Sequence, residues 1–545
     1  MKGAFTAPVL GICLAAATIG AQADRNQQRG HGFGQQTAIT VDAGEGIRLR
    51  VAGTYETGLF DESAAEIAAH DPRSQSLYVT NAAANAIDII SIRNIHQPRL
   101  RGSIDLSPYG GGVNSVAAMN GLVAVAVEAD SKQEPGQVVF FNRRGRFIRS
   151  VEVGALPDML TFTPDGEYVL VANEGEPDDD YLIDPEGSVS IIHRETMSVA
   201  TADFHAFNGA VPEGVRVFGP GASAAQDFEP EYIAVSADSS TAWVALQENN
   251  AIAIVDIATA TVTDVVALGT KDFSAVQNAI DASNRDGGIN LRPWPVVGMY
   301  QPDAIAAFEV DGETYIATAN EGDARDYDGF SEEARIGDVN DDFFVDPTAY
   351  PDLSILVDDA KLGRLNITTA TGDADGDGDI DLIHAYGGRS FSILNAAGEM
   401  IYDSGSEFER ILATYLPEVF NSNNDENGSF DARSDDKGPE PEGITVGEVD
   451  GRLYAFIGLE RVGGIMVYNV TNPQNPEFVQ YINNRDFSVS QADLEAGMAG
   501  DLGPEGLAFI PAADSPNSKP MLAVGNEVSG TTTLYGIDVI ELTAE

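Results

Sequence analysis

Thiol chemistry is almost absent from this chain. Its 545 residues include one cysteine, Cys13, and that residue sits in an N-terminal stretch that reads as a removable signal. Met1-Lys2-Gly3 supplies a charged start, an apolar run extends from about Ala4 to Gly20, and Ala21-Gln22-Ala23 fits an A-x-A cleavage site. Residues 1–23 are therefore expected to be a secretory peptide. The run is short and ends in small residues, which argues against a retained membrane helix, and Ile12 before Cys13 does not suit lipidation. The mature chain would then lack cysteine, which excludes disulfides, thiolate metal sites and thiol nucleophiles. No second long apolar run occurs, so no membrane span is expected; the protein is expected to be secreted, extracellular or periplasmic, and a monomer.

Positive charge is scarce as well. Lys and Arg total 31 against 85 Asp and Glu, a formal net charge of −54, and lysines number only six. A nucleic-acid binder needs a basic footprint to displace phosphate counterions, and this balance implies that no basic patch of that size exists. Anionic membrane surfaces are disfavoured for the same reason. Hard cations with oxygen ligands are the favoured partners, while the plainest role for most of the acids is solubility. Hydrophobic residues make up 43% of the chain, so it is no disordered acidic tail. Several catalytic signatures are missing too: no G-x-S-x-G elbow, no H-E-x-x-H pair and no phosphate-binding glycine loop. The six histidines are scattered, with His70, His193 and His205 standing alone.

What the sequence does contain is a repeat under irregular spacing. Ala172-Asn173-Glu174-Gly175-Glu176 matches Ala319-Asn320-Glu321-Gly322-Asp323, and each follows a hairpin that opens with Pro-Asp, at Pro157-Asp158 and Pro302-Asp303. The unit recurs, its first strand opening at Glu66, Asn114, Asp158, Glu231, Asp303, Glu442 and Glu505. Proline precedes the last five, at a strand start where its missing N–H costs least. Polar turns such as Pro164-Asp165-Gly166 and Asp450-Gly451 join each first strand to a second. The second strands end at Asn81, Glu128, Glu174, Glu248, Glu321, Glu460 and Glu527, and a third alternating strand follows. Seven short meanders predict an all-β, seven-bladed propeller over residues 44–545, of WD40-like kind, behind a flexible leader at 24–43. Two β-sandwiches would explain the strand density but not the recurring acids. Ile47–Ala52 lacks a hairpin partner and is expected to close the ring as the outermost strand of the last unit. The unit at Asp303 is expected to be split, resuming near Asp381–Ile383 and Phe391–Leu394. Long insertions fall near 202–229, 269–301, 322–380 and 404–440, and loops of that length are usually functional or disordered. All four begin or end beside the acids and could cover them as a lid.

In such a ring the first-strand starts and second-strand ends share one face. Asp158, Glu174, Glu231, Asp303, Glu321, Glu442, Glu505 and Glu527 are therefore expected to crowd one channel mouth, beside Glu66, Glu128, Glu248 and Glu460. Crowded carboxylates cannot all ionise uncompensated, and Ca²⁺ is the simplest compensation. The competing role is structural, with each acid bonding backbone N–H groups of the next unit. A separate motif, Asp373-Ala374-Asp375-Gly376-Asp377-Gly378-Asp379-Ile380-Asp381, places acids at positions 1, 3, 5, 7 and 9 of an EF-hand-type loop with Gly at 6. Position 12 is His384 rather than Glu, and flanking helices are not evident, so an isolated calcium loop ordering an insertion is expected. Arg216, Arg325, Arg389, Arg433 and Arg461 lie in or beside the insertions. Arg325 and Arg389 are candidate phosphate clamps, and salt bridging to the acid excess is the alternative.

Several stretches resemble the choice-of-anchor I family, secreted propellers related to mesenchyme-specific cell-surface glycoproteins. They include Phe60–Ile67, Glu229-Pro230-Glu231-Tyr232-Ile233, Gly298–Ile305, Ala319–Arg325, Gly387–Ser392 and Lys437–Gly443, and together they cover essentially the whole mature chain. Some bacterial members are called atypical alkaline phosphatases, so the resemblance implies a possible hydrolase. No nucleophile is identifiable. The reading that combines residues and resemblance is a secreted calcium-dependent phosphoesterase acting on a phosphate ester. Its alternative is a non-catalytic propeller binding mineral, calcium or a cell-surface partner.

Overall fold

Runs such as Leu122–Glu128 carry apolar residues on both faces, so a strand built from them must be covered on both sides. That is how the chain uses it. Val123, Val125 and Val127 pack against Tyr78 and Ile87 of the preceding sheet, while Ala124 and Ala126 pack against Leu160 and Val171 of the following one. The computed structural model describes residues 38–42, 46–340 and 342–540, and the expected signal peptide lies outside them. Among the described residues no helix is long and apolar enough to cross a membrane.

Seven antiparallel meanders, each at least four strands wide, follow one another along the chain. The first consists of Ala68–Asp71, Ser76–Asn81, Ala86–Ser91 and Arg99–Asp105. The innermost strands of the others are Gly112–Met119, Pro157–Phe162, Pro230–Val235, Ile305–Val310, Pro441–Val449 and Pro504–Ile510. These seven innermost strands touch in cyclic order, the last returning to the first. A buried apolar cluster fills each junction between successive sheets, including the closing junction, where Ile510 and Met521 meet Leu77 and Val79. The fold is an all-β propeller. Glycine permits its tight inner packing at two points: a Cβ on Gly443 would sit 1.8 Å from the Glu505 carbonyl oxygen, and one on Gly525 would sit 1.7 Å from that of Glu66.

Ring closure runs as the sequence suggests. Gly46–Glu56 pairs antiparallel with Thr531–Ile540 as the outermost strand of the seventh sheet. The expected flexible leader needs correction at its end, because Ile39–Asp42 pairs with Glu477–Asn483 and adds a fifth strand to the sixth sheet. The fifth sheet is split as expected, and its third strand is Ser390–Asn395. Its fourth is Met400–Asp403, not Asp381–Ile383. Asp381 and Leu382 instead donate backbone hydrogen bonds to the Gly372 carbonyl, which ties them to the acidic loop. The insertions are not bare loops. Thr270–Asp272, Val297–Met299, Glu333–Arg335, Asn366–Thr368 and His384–Ala385 form one sheet, with its own core around Phe273, Trp294, Ile336 and Leu362.

Candidate metal centre at the channel mouth

The hairpin register delivers the acids to one face. Pro157 pairs with Asn173, Pro230 with Leu246, Pro441 with Leu459 and Pro504 with Asn526. The acid that follows each proline thus lies beside the acid that follows each second strand. A repeated backbone bond fixes the second set: the N–H of Glu174 donates to Leu156 O at 2.9 Å, that of Glu460 to Glu440 O at 2.8 Å, and that of Glu527 to Gly503 O at 2.7 Å.

The carboxylates converge across sheets. Oxygens of Asp303, Glu321 and Glu442 lie within 4.8 Å of one another. Asp158, Glu174, Glu231, Glu248 and Asp303 line a cavity of about 320 Å³ together with Glu176, Asp323 and Tyr327. Glu505 faces Glu66 and Glu527, whose charges push its proton affinity up after burial has done so. Burial is the largest cause throughout; neighbouring carboxylates come next at most positions, while Arg325 and Arg461 partly offset the rise at Glu248 and Glu460. Asp158 and Glu248 are pushed up to about 7, and Glu66 and Glu460 to about 8. Glu174, Glu231, Asp303, Glu442 and Glu505 rise well above the usual carboxylate range. One oxygen each of Glu231, Glu248, Glu442 and Glu505 is shut off from solvent and accepts no hydrogen bond. Glu229 and Glu409 also keep one such oxygen, but each is paired with a buried arginine.

An adjacent trio behaves differently. Glu321, Glu440 and Glu460 also bring oxygens within 4.8 Å, yet cations already surround Glu440. Lys437 Nζ lies 3.5 Å from it, Arg433 2.7 Å and Arg461 2.8 Å. Burial alone would raise the Glu440 carboxyl, but these three charges outweigh it and hold it below its usual range. Lys437 also reaches Glu321 at 2.6 Å. Sequence reading missed Lys437, Glu176, Asp323 and Glu440. Only the Glu-Gly-Glu and Glu-Gly-Asp endings at 174–176 and 321–323 hinted at two of them.

The two proposed phosphate clamps are corrected. Arg325 is 2% exposed, and its fork is engaged: Nη1 contacts Asp227 Oδ1 at 2.5 Å, Nη2 the Asp227 carbonyl at 2.7 Å, and Nε Glu229 at 3.1 Å. The guanidinium also lies 4.5 Å from the Phe218 ring centroid. Arg389, equally buried, donates to the carbonyls of Asp281, Ser434 and Asp436 and to Glu409. Both arginines clamp insertions to the ring; Arg325 also lines the 320 Å³ cavity, with its donors turned to Asp227 and Glu229. Arg216 is used likewise, by Glu332, Thr368, Thr371 and the Glu248 carbonyl.

The acidic loop stands apart from the mouth. Oxygens of Asp373, Asp375 and Asp377 lie within 4.8 Å of one another, all exposed. Gly376 and Gly378 donate backbone N–H bonds to Asp373, and Ala374 donates to Asp381. Asp379 is not part of that trio. The charge balance also misled in one respect, since a groove on the first two sheets is lined by arginines.

The profile of the choice-of-anchor I domain matches residues 66–473, well over half the chain. The chain belongs to the choice-of-anchor I family. Among curated relatives, Gigasin-3a of Magallana gigas is 34% identical over 188 residues, covering 33% of this chain and 66% of that protein. Mesenchyme-specific cell surface glycoprotein of Strongylocentrotus purpuratus is 27% identical over 243 residues, covering 38% of this chain and 30% of its own length. The matched regions thus span less than two thirds of either relative. Solved structures with similar chains include Kuenenia stuttgartiensis hydrazine synthase, at 13% identity and TM-score 0.46 over 89% of this chain and 100% of that one. The WD40 domain of Toxoplasma gondii coronin gives 10% identity and TM-score 0.46, covering 93% and 90%.

Proposed function

We propose that this choice-of-anchor I propeller binds divalent cations, calcium above all, at its acidic channel mouth. One observation carries the reading: Glu231, Glu442 and Glu505 each keep one solvent-shielded carboxylate oxygen with no donor, and at Glu442 carboxylates from successive sheets approach within 4.8 Å. An all-oxygen donor set of acids suits Ca²⁺, which accepts six to eight such ligands in flexible geometry. Asp303, Glu321 and Glu442 form one converging group, in which a cation would compete with Lys437 and Gln247 for the Glu321 oxygens. Asp158, Glu174 and Glu231 surround the cavity, and Glu505 and Glu527 continue the ring. Calorimetric titration tests it: Ca²⁺ should bind at neutral pH, and Asp303→Asn with Glu442→Gln should weaken the tightest site by about a hundredfold. Absence of any Ca²⁺ heat in the wild-type protein would sink the reading.

A catalytic extension, hydrolysis of a phosphate ester, is favoured by one feature, the 320 Å³ cavity beside the ring. A bound cation would polarise a phosphoryl oxygen and lower the pKa of a coordinated water. Asp158 and Glu248 line that cavity, and burial pushes both carboxyls up to about 7, a range that suits exchange of a proton with water at neutral pH. Phosphomonoester and diester turnover is measured with calcium and with chelator. Calcium-dependent turnover abolished by Asp158→Asn supports the extension, and no turnover leaves the cation-binding propeller alone.

A further inference from the structure

A second charged region lies at the other end of the sheets. Its origin is topological. In the first sheet, Asn81 pairs with Ala86 at the mouth end, while Asp71 pairs with Ser76 and Ser91 with Arg99 at the opposite end. In the second sheet, Gly112 pairs with Glu128 at the mouth end and Leu122 with Asn142 opposite. The turns carrying Arg73, Arg93, Arg143 and Arg144 therefore share the face away from the acids. Together with Arg101 on an outer strand, they line a groove of about 490 Å³.

These five arginines are exposed, and among the described residues none pairs with a carboxylate, although ion pairs recur elsewhere in the ring. Arg73 contacts only Asn120, and Arg93 only the Ser74 carbonyl. Arg99, Arg146 and Arg149 flank the groove in sequence and are exposed as well. In a chain with 85 acids against 31 bases, five neighbouring guanidinium groups left unneutralised repel one another, and a bound anion relieves that repulsion. Guanidinium forks match tetrahedral oxyanions in bidentate fashion.

We propose that this groove binds a short oligosaccharide bearing sulfate or phosphate esters. The groove's volume suits a small ligand, and a longer polyanion would run out of it onto a chain of net charge −54. Outside the groove's own lining, two residues along the chain from Gly145, the half-exposed Phe147 ring stacks on Tyr109 at 5.5 Å and offers an apolar surface to a sugar that extends past the arginines. The proposal needs no metal, so chelator in every sample keeps it separate from the cation reading.

The test is titration of the full chain with a heparin-derived tetrasaccharide, its desulfated counterpart and a single-stranded DNA of equal charge. Binding of the sulfated sugar alone, weakened as salt shortens the Debye length from about 10 Å to about 3 Å, is the expected result. Arg143→Gln with Arg144→Gln, and separately Arg101→Gln, should each weaken it about tenfold or more with the melting temperature unchanged. No binding, equal binding by the variants, or DNA binding as tightly as the sugar overturns the proposal.

Discussion

The channel mouth and the arginine groove both concentrate charge of one sign, yet they manage it by opposite physical means. At the mouth the groups are carboxyls at least half-buried in the ring, and burial with mutual repulsion lifts their proton affinity towards or past neutrality. A proton or a cation can therefore relieve the strain. Guanidinium has no comparable escape, because it stays charged at any physiological pH. The groove accordingly lies on exposed turns and an outer strand, where water screens the repulsion. Burial, not charge density, decides which region is coupled to pH and to folding.

Arg325 tests that contrast most severely, since it is a buried cation with its partners in place. Arg325→Met leaves Asp227 and Glu229 unpaired in the interior, and removing one partner of a buried pair costs about 3–5 kcal/mol. Denaturant unfolding should report a loss of that order. A loss below about 1 kcal/mol would mean that this arginine is not an anchor, and would return it to the list of ligand contacts.

The next effect concerns pH. Carboxyls with raised folded values bind more protons folded than unfolded, so stability falls as pH rises between the two values. For Asp158, Glu248, Glu66 and Glu460 that window runs from about 4 in the unfolded chain to about 7 or 8 in the folded one. Metal-free protein should lose melting temperature across this range, and calcium at pH 8 should restore much of it. A flat profile would erase the distinction drawn between mouth and groove.

The smallest effect belongs to the acidic loop, whose Asp373, Asp375 and Asp377 are exposed. Asp373→Asn with Asp375→Asn should remove one weak calcium from the stoichiometry while shifting stability by less than about 1 kcal/mol. A larger loss would show the loop to be part of the ring's support.

Much of the ring was legible because a meander repeats its chemistry. Pro-acid at a strand start and Asn-Glu at a strand end mark hairpin geometry, and geometry of that kind transfers directly to a shared face. The N-terminal strand at 46–56 was legible for the same reason, as an alternating run without a neighbour. The sequence misassigned what depends on contacts between distant segments. Arg325 and Arg389 looked available because nothing local to them predicts Asp227, Glu229 or Glu409 as partners. Lys437 gave no signal, since only the docking of its insertion brings it to Glu321, 116 positions away.

The sequence by itself determined the strand periodicity, the recurring acids, the acidic loop and the excess of negative charge, because each is a local or compositional property. Tertiary structure alone decided which charges are neutralised. Whether Glu440 meets three cations while Glu442 keeps an unpartnered oxygen depends on which insertion packs where. Whether arginines at 73, 93, 101 and 143–144 are scattered or form one groove depends on two neighbouring sheets placing their turns side by side. Electrostatic interaction falls off with distance and with screening by water, and only the closed ring sets those distances and keeps water out.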